Sequence, residues 1–340
     1  MTPTTIETPT GAAQTMVLNM GPQHPSTHGV LRVILELNGE IVVKAEPVIG
    51  YLHTGIEKSC EAKTYSQTIT LTDRIDYLAP LSNNLGYCLA VEKLLGIEAP
   101  KRAQYIRVLL TELTRITSHL VWLGTHAIDL GAMSVFLYTF REREEIMKVF
   151  EYVSGQRMMT SYFRVGGLAL EPPPGFLEKV RRVIDALPGH VDEYEDLLTN
   201  NRIWLGRTQG VGIISADDAI AMGCSGPMLR GSGVAYDVRK AFPYSSYQDF
   251  YFDVQTQTAY VNVSLLRPDR APRNNHALDQ LMRVHLHQRA VFRSSRLALI
   301  TVRQNVFRFV DVLRNKAPFH PGREAPRRRA RAGSTSSFRR

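Results

Sequence analysis

Cysteine is scarce in this sequence: three residues in 340, Cys60, Cys88 and Cys224, widely spaced and never as CxxC. An odd, dispersed set builds neither a disulfide framework nor a paired-thiolate metal site, and it fits a reducing compartment. Long apolar runs are missing too, since no uninterrupted stretch reaches the roughly 18 residues that a bilayer span needs. Residues 1–15, MTPTTIETPTGAAQT, have neither a basic nor an apolar leader region. They read as a flexible N-terminal tail, which argues against export. No GxxxxGK[ST] occurs, and GSGVAY lacks the third glycine of a dinucleotide fingerprint. The chain is therefore not expected to bind a nucleotide itself. Lysine is nearly absent from residues 255–340, which hold 17 Arg and one Lys against four Asp and Glu. The net charge of +9 resides in that segment, because the preceding 254 residues sum to −5.

What is present is the composition of a globular protein, 44% apolar and 21% charged. The clearest local pattern is VLRVILELNGEIVVKAEPVIG. Leu31, Val33, Leu35 and Leu37 alternate with mixed partners, Asn38-Gly39 supplies hairpin-turn chemistry, and Ile41-Val42-Val43 starts a return strand. A short strand over 16–19 precedes it. In RAQYIRVLLTELTRITSHLVWLG, the residues Ile106, Leu109, Leu110, Leu113, Ile116 and Leu120 fall on one helical face, and Gly124 is the expected stop. A second amphipathic helix, YTFREREEIMKVFEYVSGQR, ends at Gly155. After the turn EPPPGF, LEKVRRVIDAL and VDEYEDLL read as two helices, and residues 206–244 read as glycine-rich and irregular. The fold class is α+β: mainly helical, with a small antiparallel N-terminal sheet over about 16–50 and a helical core over about 51–200.

Three places carry candidate chemistry. GPQHPSTHG, residues 21–29, holds two prolines, two glycines and two histidines. Proline and glycine exclude a helix interior or a central strand, so this is a shaped loop presenting His24 and His28. Such side chains exchange protons near neutral pH. The same histidines are equally accounted for as satisfying backbone groups of the loop. A metal is not expected, because an x3 spacing outside a helix does not converge two rings and no Cys or acidic cluster completes the site. TDRIDYLAP interrupts apolar sequence with Arg74, Asp76 and Tyr77, either a turn with a surface ion pair or a phenol held beside a cation. In SHLVWLGTHAIDLGA, His119 reads as a satisfied core histidine. Asp129 reads as a carboxylate after the helix in an apolar setting, where it needs a cationic or hydrogen-bonding partner.

These motifs resemble a known family, the D subunit of respiratory complex I, the NADH:quinone oxidoreductase. NMGPQHPSTHGVLR, IGYLHTGIEK, DRIDYL, LAVEKLLGIEAP, ELTRITSHLVWLGTHAIDLGA, FREREEIMKVFE, GVGIISADDAIAMGCSGPMLRGSG and YDVRKAFPYSSY carry the likeness over about 16–254. The family is similar in fold to the large subunit of nickel–iron hydrogenases, whose metal sits on two CxxC pairs. Here DRIDYL stands where the first pair would lie, so a hydrogenase centre is not expected. The resemblance implies that Tyr77 and His28 hydrogen-bond a quinone headgroup, with His24 in the same loop and Asp129 paired with His28. It places Arg74 near a [4Fe-4S] cluster held by a partner subunit. Two electrons delivered to a quinone leave a dianionic headgroup unless protons accompany them, and phenol and imidazolium are close-range donors. The implied partners are the iron–sulfur B subunit, the C subunit and the membrane-arm subunits. The implied location is the cytoplasmic face of the cell inner membrane, held peripherally through those partners. Quinone is the substrate, this chain holds no metal, and nucleic acid is not expected as a partner.

The likeness decays after YFDV. Residues 255–340 fit three readings: a basic extension for nucleic acid or anionic lipid, a diverged helix around ALITVRQNVFRFVDVLRN, or translation in a shifted frame of a GC-rich gene. Abundant arginine without lysine and the absence of a clear pattern favour the last. That leaves a second functional expectation, a truncated or decayed scaffold copy that packs on a partner without catalysing. A counterpart using another electron donor is a third.

Overall fold

The computed structural model describes residues 15–208, 213–250, 252, 254 and 256, and they fall into two units divided after Ala62. The tail expected over 1–15 (apart from Thr15) and the arginine-rich segment (apart from Thr256) lie outside the described residues.

The first unit is built on three antiparallel strands in the order β1 (Met16–Met20), β2 (Arg32–Asn38), β3 (Ile41–Val48). Alternation and turn chemistry set this hairpin as the sequence leads one to expect. Asn38 pairs with Ile41, and Gly39 takes φ +62° at the first position of the two-residue turn. The register slips between Glu36 and Leu37, so that Val43 bulges. β1 pairs along its whole length, Met20 against Val33. Helix α1 (Ile56–Glu61) follows.

In the second unit, α2 (Tyr65–Thr72) starts on a capping box in which Thr64 accepts from the Gln67 amide and the Gln67 side chain accepts from Thr64 N. α3 (Pro80–Leu95) has proline in its first turn and ends on left-handed Gly96. The central element is α4 (Lys101–Asp129), whose Ile106, Leu109, Leu110, Leu113 and Ile116 are at most 1% exposed. α5 (Met133–Ser154) packs along it and ends at left-handed Gly155, as the sequence predicts. A two-residue hairpin, β4 (Phe163–Arg164) with β5 (Gly167–Leu168), leads to α6 (Phe176–Leu198). Short helices follow: α7 (Arg202–Thr208), α8 (Ala216–Ala221), α9 (Gly226–Gly231) and α10 (Val238–Ala241).

Three sequence expectations are corrected here. α4 does not stop at Gly124 but runs to Asp129. Gly124 instead marks close helix packing, since a Cβ there would sit 2.4 Å from Thr139 Oγ1 and 3.3 Å from the Phe136 ring. The two helices expected after EPPPGF are one, α6, with Pro188 inside it. Its buried stripe Phe176, Val180, Ile184, Leu187, Val191, Tyr194, Leu198 keeps helical spacing across the proline. That continuous burial outweighs the lost backbone bond, a cost of about 3 kcal/mol. Residues 206–244 are not wholly irregular, because Gly206 lies in α7 and three further helical turns punctuate the segment.

Candidate functional site

In the first unit, the loop of residues 21–29 is held by a buried hydroxyl. Thr27 is 2% exposed, and its Oγ1 lies 3.1 Å from Pro22 O and 2.9 Å from His24 O. Gly21 makes the loop possible: at φ +85° a Cβ would lie 2.1 Å from Leu31 O. His24 caps the single 3-10 turn Pro25–Thr27, its Nδ1 accepting from Ser26 N at 3.1 Å. With that lone pair engaged, the neutral ring carries its hydrogen on Nε2. His28 closes the turn in the left-handed region at φ 52°, a conformation uncommon for a non-glycine residue. Both imidazoles are exposed on this anchored loop. For His24 the backbone-satisfying reading is therefore realised at one ring nitrogen, while the other remains a potential donor.

In the second unit, Arg74, Asp76 and Tyr77 share the turn between α2 and α3. Asp76 Oδ1 accepts from Leu78 N at 2.9 Å, and its carbonyl takes Ala79 N and Asn83 Nδ2. Arg74 donates to the Thr70 carbonyl. The turn is thus satisfied by local backbone bonding, with no ion pair between Arg74 and Asp76 among the described residues. Arg74 and Asp76 each bind the backbone of their own turn, and no cation sits on Tyr77 among the described residues. Tyr77 itself is 50% exposed.

Beneath this turn lies Asp73, fully buried, its Oδ2 accepting from Ser161 N at 2.9 Å and Ser161 Oγ at 2.7 Å. Burial pushes its carboxyl above the ordinary range, against the opposing bonds from Ser161. This bond ties the segment after α5 to the C-terminus of α2 and so positions the turn bearing Tyr77. Neither Asp73 nor Thr27 stood out in the sequence. A carboxylate directly preceding Arg-Ile-Asp-Tyr is a weak signal, and a threonine between proline and histidine carries none.

Asp129 is the last residue of α4 and is exposed, where the sequence suggested an apolar setting after the helix. The extra helical turn beyond Gly124 carries it outward. His126, one turn earlier, bonds Trp122 O through Nδ1 at 3.0 Å. His119 borders a cleft between α3 and α4. Burial, reinforced by the Arg115 cation, pushes its imidazole down to about 3. Among the described residues, no three His, Cys, Asp or Glu side chains cluster as metal ligands. No described helix is long and apolar enough to cross a membrane.

Residues 129–263 match the sequence model of the respiratory-chain NADH dehydrogenase 49 kDa subunit, beginning at Asp129. The chain is 68% identical over 243 residues to the D 1 subunit of NADH-quinone oxidoreductase from Solibacter usitatus, covering 72% of this chain and 59% of that protein. It is 66% identical over 244 residues to the D 2 subunit from Chloroflexus aurantiacus, covering 72% and 59%. It is 63% identical over 243 residues to the D subunit from Geotalea uraniireducens, covering 72% and 62%. Over the matched segment the chain is similar to this D subunit family. The chain spans about 60% of the length of the curated relatives it matches.

Proposed function

We propose that this chain is the quinone-site subunit of a proton-translocating NADH:quinone oxidoreductase, active only within that complex. The observation that carries the reading is the 62–68% identity to proteins named as the D subunit of NADH-quinone oxidoreductase. In this reading residues 16–254 are the part shared with that family, with a hydrogenase-large-subunit-like fold. Electrons come from a [4Fe-4S] cluster in the iron–sulfur B subunit, near Arg74. His28 and Tyr77 hydrogen-bond the quinone oxygens, with His24 beside them, and Asp129 pairs with His28. Fixed phenol and imidazole donors stabilise charge as it develops on the oxygens and shorten proton delivery. The C subunit and the membrane-arm subunits complete the assembly, which holds the chain peripherally on the cytoplasmic side of the cell inner membrane. The exposure of both histidines on an anchored loop, and of Tyr77 on a turn, supports a role in which a ligand and a partner cover them.

A second reading is a non-catalytic scaffold copy, favoured by the arginine-rich residues 255–340, over which the family likeness has decayed. The two part on one experiment. His28→Ala combined with Tyr77→Phe is introduced into the native complex, with assembly followed on native gels and NADH:quinone reduction measured in membranes. Assembly without quinone reduction is expected. Unchanged reduction rejects the quinone-site reading and favours the scaffold.

A further inference from the structure

α3 and α4 diverge to leave a cleft of about 420 Å³, within the range of small-molecule pockets. Its two walls differ in character. α3 and the residue before it contribute Ala79, Ser82, Leu85, Gly86 and Leu89, one helical face that is largely apolar. α4 contributes Thr111, Arg115, Ser118 and His119, again one helical face but wholly polar, and Tyr244 joins them. Polar groups at i, i+4, i+7 and i+8 on the central helix are unexpected where that helix is mostly buried.

Two of these groups have unused hydrogen-bonding capacity. Thr111 is 2% exposed, lines the cleft, and its hydroxyl has no hydrogen-bond partner among the described residues. Arg115 forms its hydrogen bonds among the described residues through Nε alone, at 3.3 Å to each oxygen of buried Glu112. Its two terminal nitrogens are left for another acceptor.

Charge balance points the same way. Behind the cleft, Glu112 also accepts from Arg239 Nη1 at 3.1 Å and from Tyr247 Oη at 2.6 Å. Arg239 donates to Asp237 at 2.6 Å, and Arg230 lies 3.7 Å from the same carboxylate. Among the described residues, three guanidinium groups therefore face two carboxylates. His119 adds no charge, since its burial keeps it neutral near pH 7. One positive charge is left over in this cluster, and Arg115 is the member of it that lines the cleft.

We propose that this cleft binds a small monocarboxylate with an apolar body. One negative charge closes the balance, and a planar carboxylate matches the paired donors of a guanidinium edge. The Thr111 hydroxyl gains a partner, and Leu85 and Leu89 cover the apolar part. Nothing in this assignment depends on the quinone reading.

The test is calorimetric titration of the full chain with benzoate and with its neutral isostere benzamide. Saturable benzoate binding is expected, with benzamide weaker by at least about tenfold. Gly86→Leu fills the cleft, because a Cβ at Gly86 meets nothing within 4 Å, and it favours the helix, so folding is retained. It should abolish benzoate binding, and Arg115→Gln should weaken it by at least about tenfold. Absent binding, equal affinity for benzamide, or benzoate binding that survives Gly86→Leu would each overturn the proposal.

Discussion

Arg107 of α4 and Glu92 of α3 form a two-pronged ion pair inside the core, Nη2 to Oε1 at 2.7 Å and Nη1 to Oε2 at 3.1 Å. The arginine side chain is 0% exposed and the glutamate 7%. Arg107 also reaches the carbonyls of Arg164 and Gly167, and Glu92 Oε1 accepts from Gly166 N at 2.7 Å. One pair thereby fastens two helices to the β4–β5 hairpin. Removing one partner strands a buried charge, so Arg107→Met is expected to cost about 3–5 kcal/mol. Urea unfolding of the chain measures it, and a loss below about 1 kcal/mol would show the pair to be dispensable.

Two glycines within helices should respond oppositely to the same change. Gly124→Ala drives a methyl to 2.4 Å from Thr139 Oγ1, forcing α4 from α5, and a loss of about 1–3 kcal/mol is expected. Gly86→Ala meets open space in the middle of α3 and should gain about 0.5–1 kcal/mol from helix propensity. Thermal melts of the two variants, read side by side, decide both.

Thr27→Val preserves side-chain volume but removes the hydroxyl donor from Pro22 O and His24 O, which keep the backbone bonds from His24 N and Thr27 N. A cost of about 0.5–1.5 kcal/mol is expected from the lost side-chain bonding. If the loop presents His24 and His28 to a quinone, the variant complex should also show a raised KM for quinone at unchanged assembly. An unaltered KM would separate loop anchoring from quinone binding.

His119 sets an acid limit on stability. Its folded value near 3 lies below the ordinary 6.5, so between these values the unfolded chain holds the extra proton. Stability then rises with pH across that window and is lost as pH falls through it, with a slope of at most about 1.4 kcal/mol per pH unit. Because the ring borders a cleft, the observed slope should fall short of that limit. His119→Gln should flatten the dependence between pH 6.5 and 3. A denaturation series at several pH values that is identical for both chains would exclude this.

Asp73 works in the opposite sense. Its carboxyl is raised, so the folded state favours the protonated form, and stability falls as pH climbs from the ordinary carboxylate range towards the raised value. Asp73→Asn retains an acceptor for Ser161 and should remove that fall, whereas Asp73→Ala should cost about 1–3 kcal/mol at any pH. Equal stability of the Ala and Asn variants would mean that the tie to Ser161 contributes nothing.

Local signals were enough for several elements. The alternation around Asn38-Gly39 specifies the hairpin, the spacing of Ile106 to Leu120 specifies the face of α4, and Gly155 specifies the end of α5. These depend on nearest neighbours and periodicity, which a sequence displays openly. Dense motifs such as GPQHPSTHG, DRIDYL and THAID likewise carried the family likeness and the residues proposed for the quinone site.

Other features were decided by packing between distant segments. Gly124 looks like a stop until Thr139 is brought against it, and Pro188 looks like a break until one buried stripe runs through it. Asp73 acquires its role from Ser161, 88 residues away, and Glu112 from Arg239, 127 residues away. A lone Thr111 or Arg115 says nothing in sequence. Only when α3 turns an apolar face towards α4 do they become an unpaired hydroxyl and a partly engaged guanidinium on one cleft. Elements, their faces and the family likeness were thus legible in the residues alone. Which helix ends continue, and which buried charges find partners, emerged only in three dimensions. The physical reason is that propensity and periodicity act over a few residues, whereas burial and charge balance exist only once remote side chains share the same space.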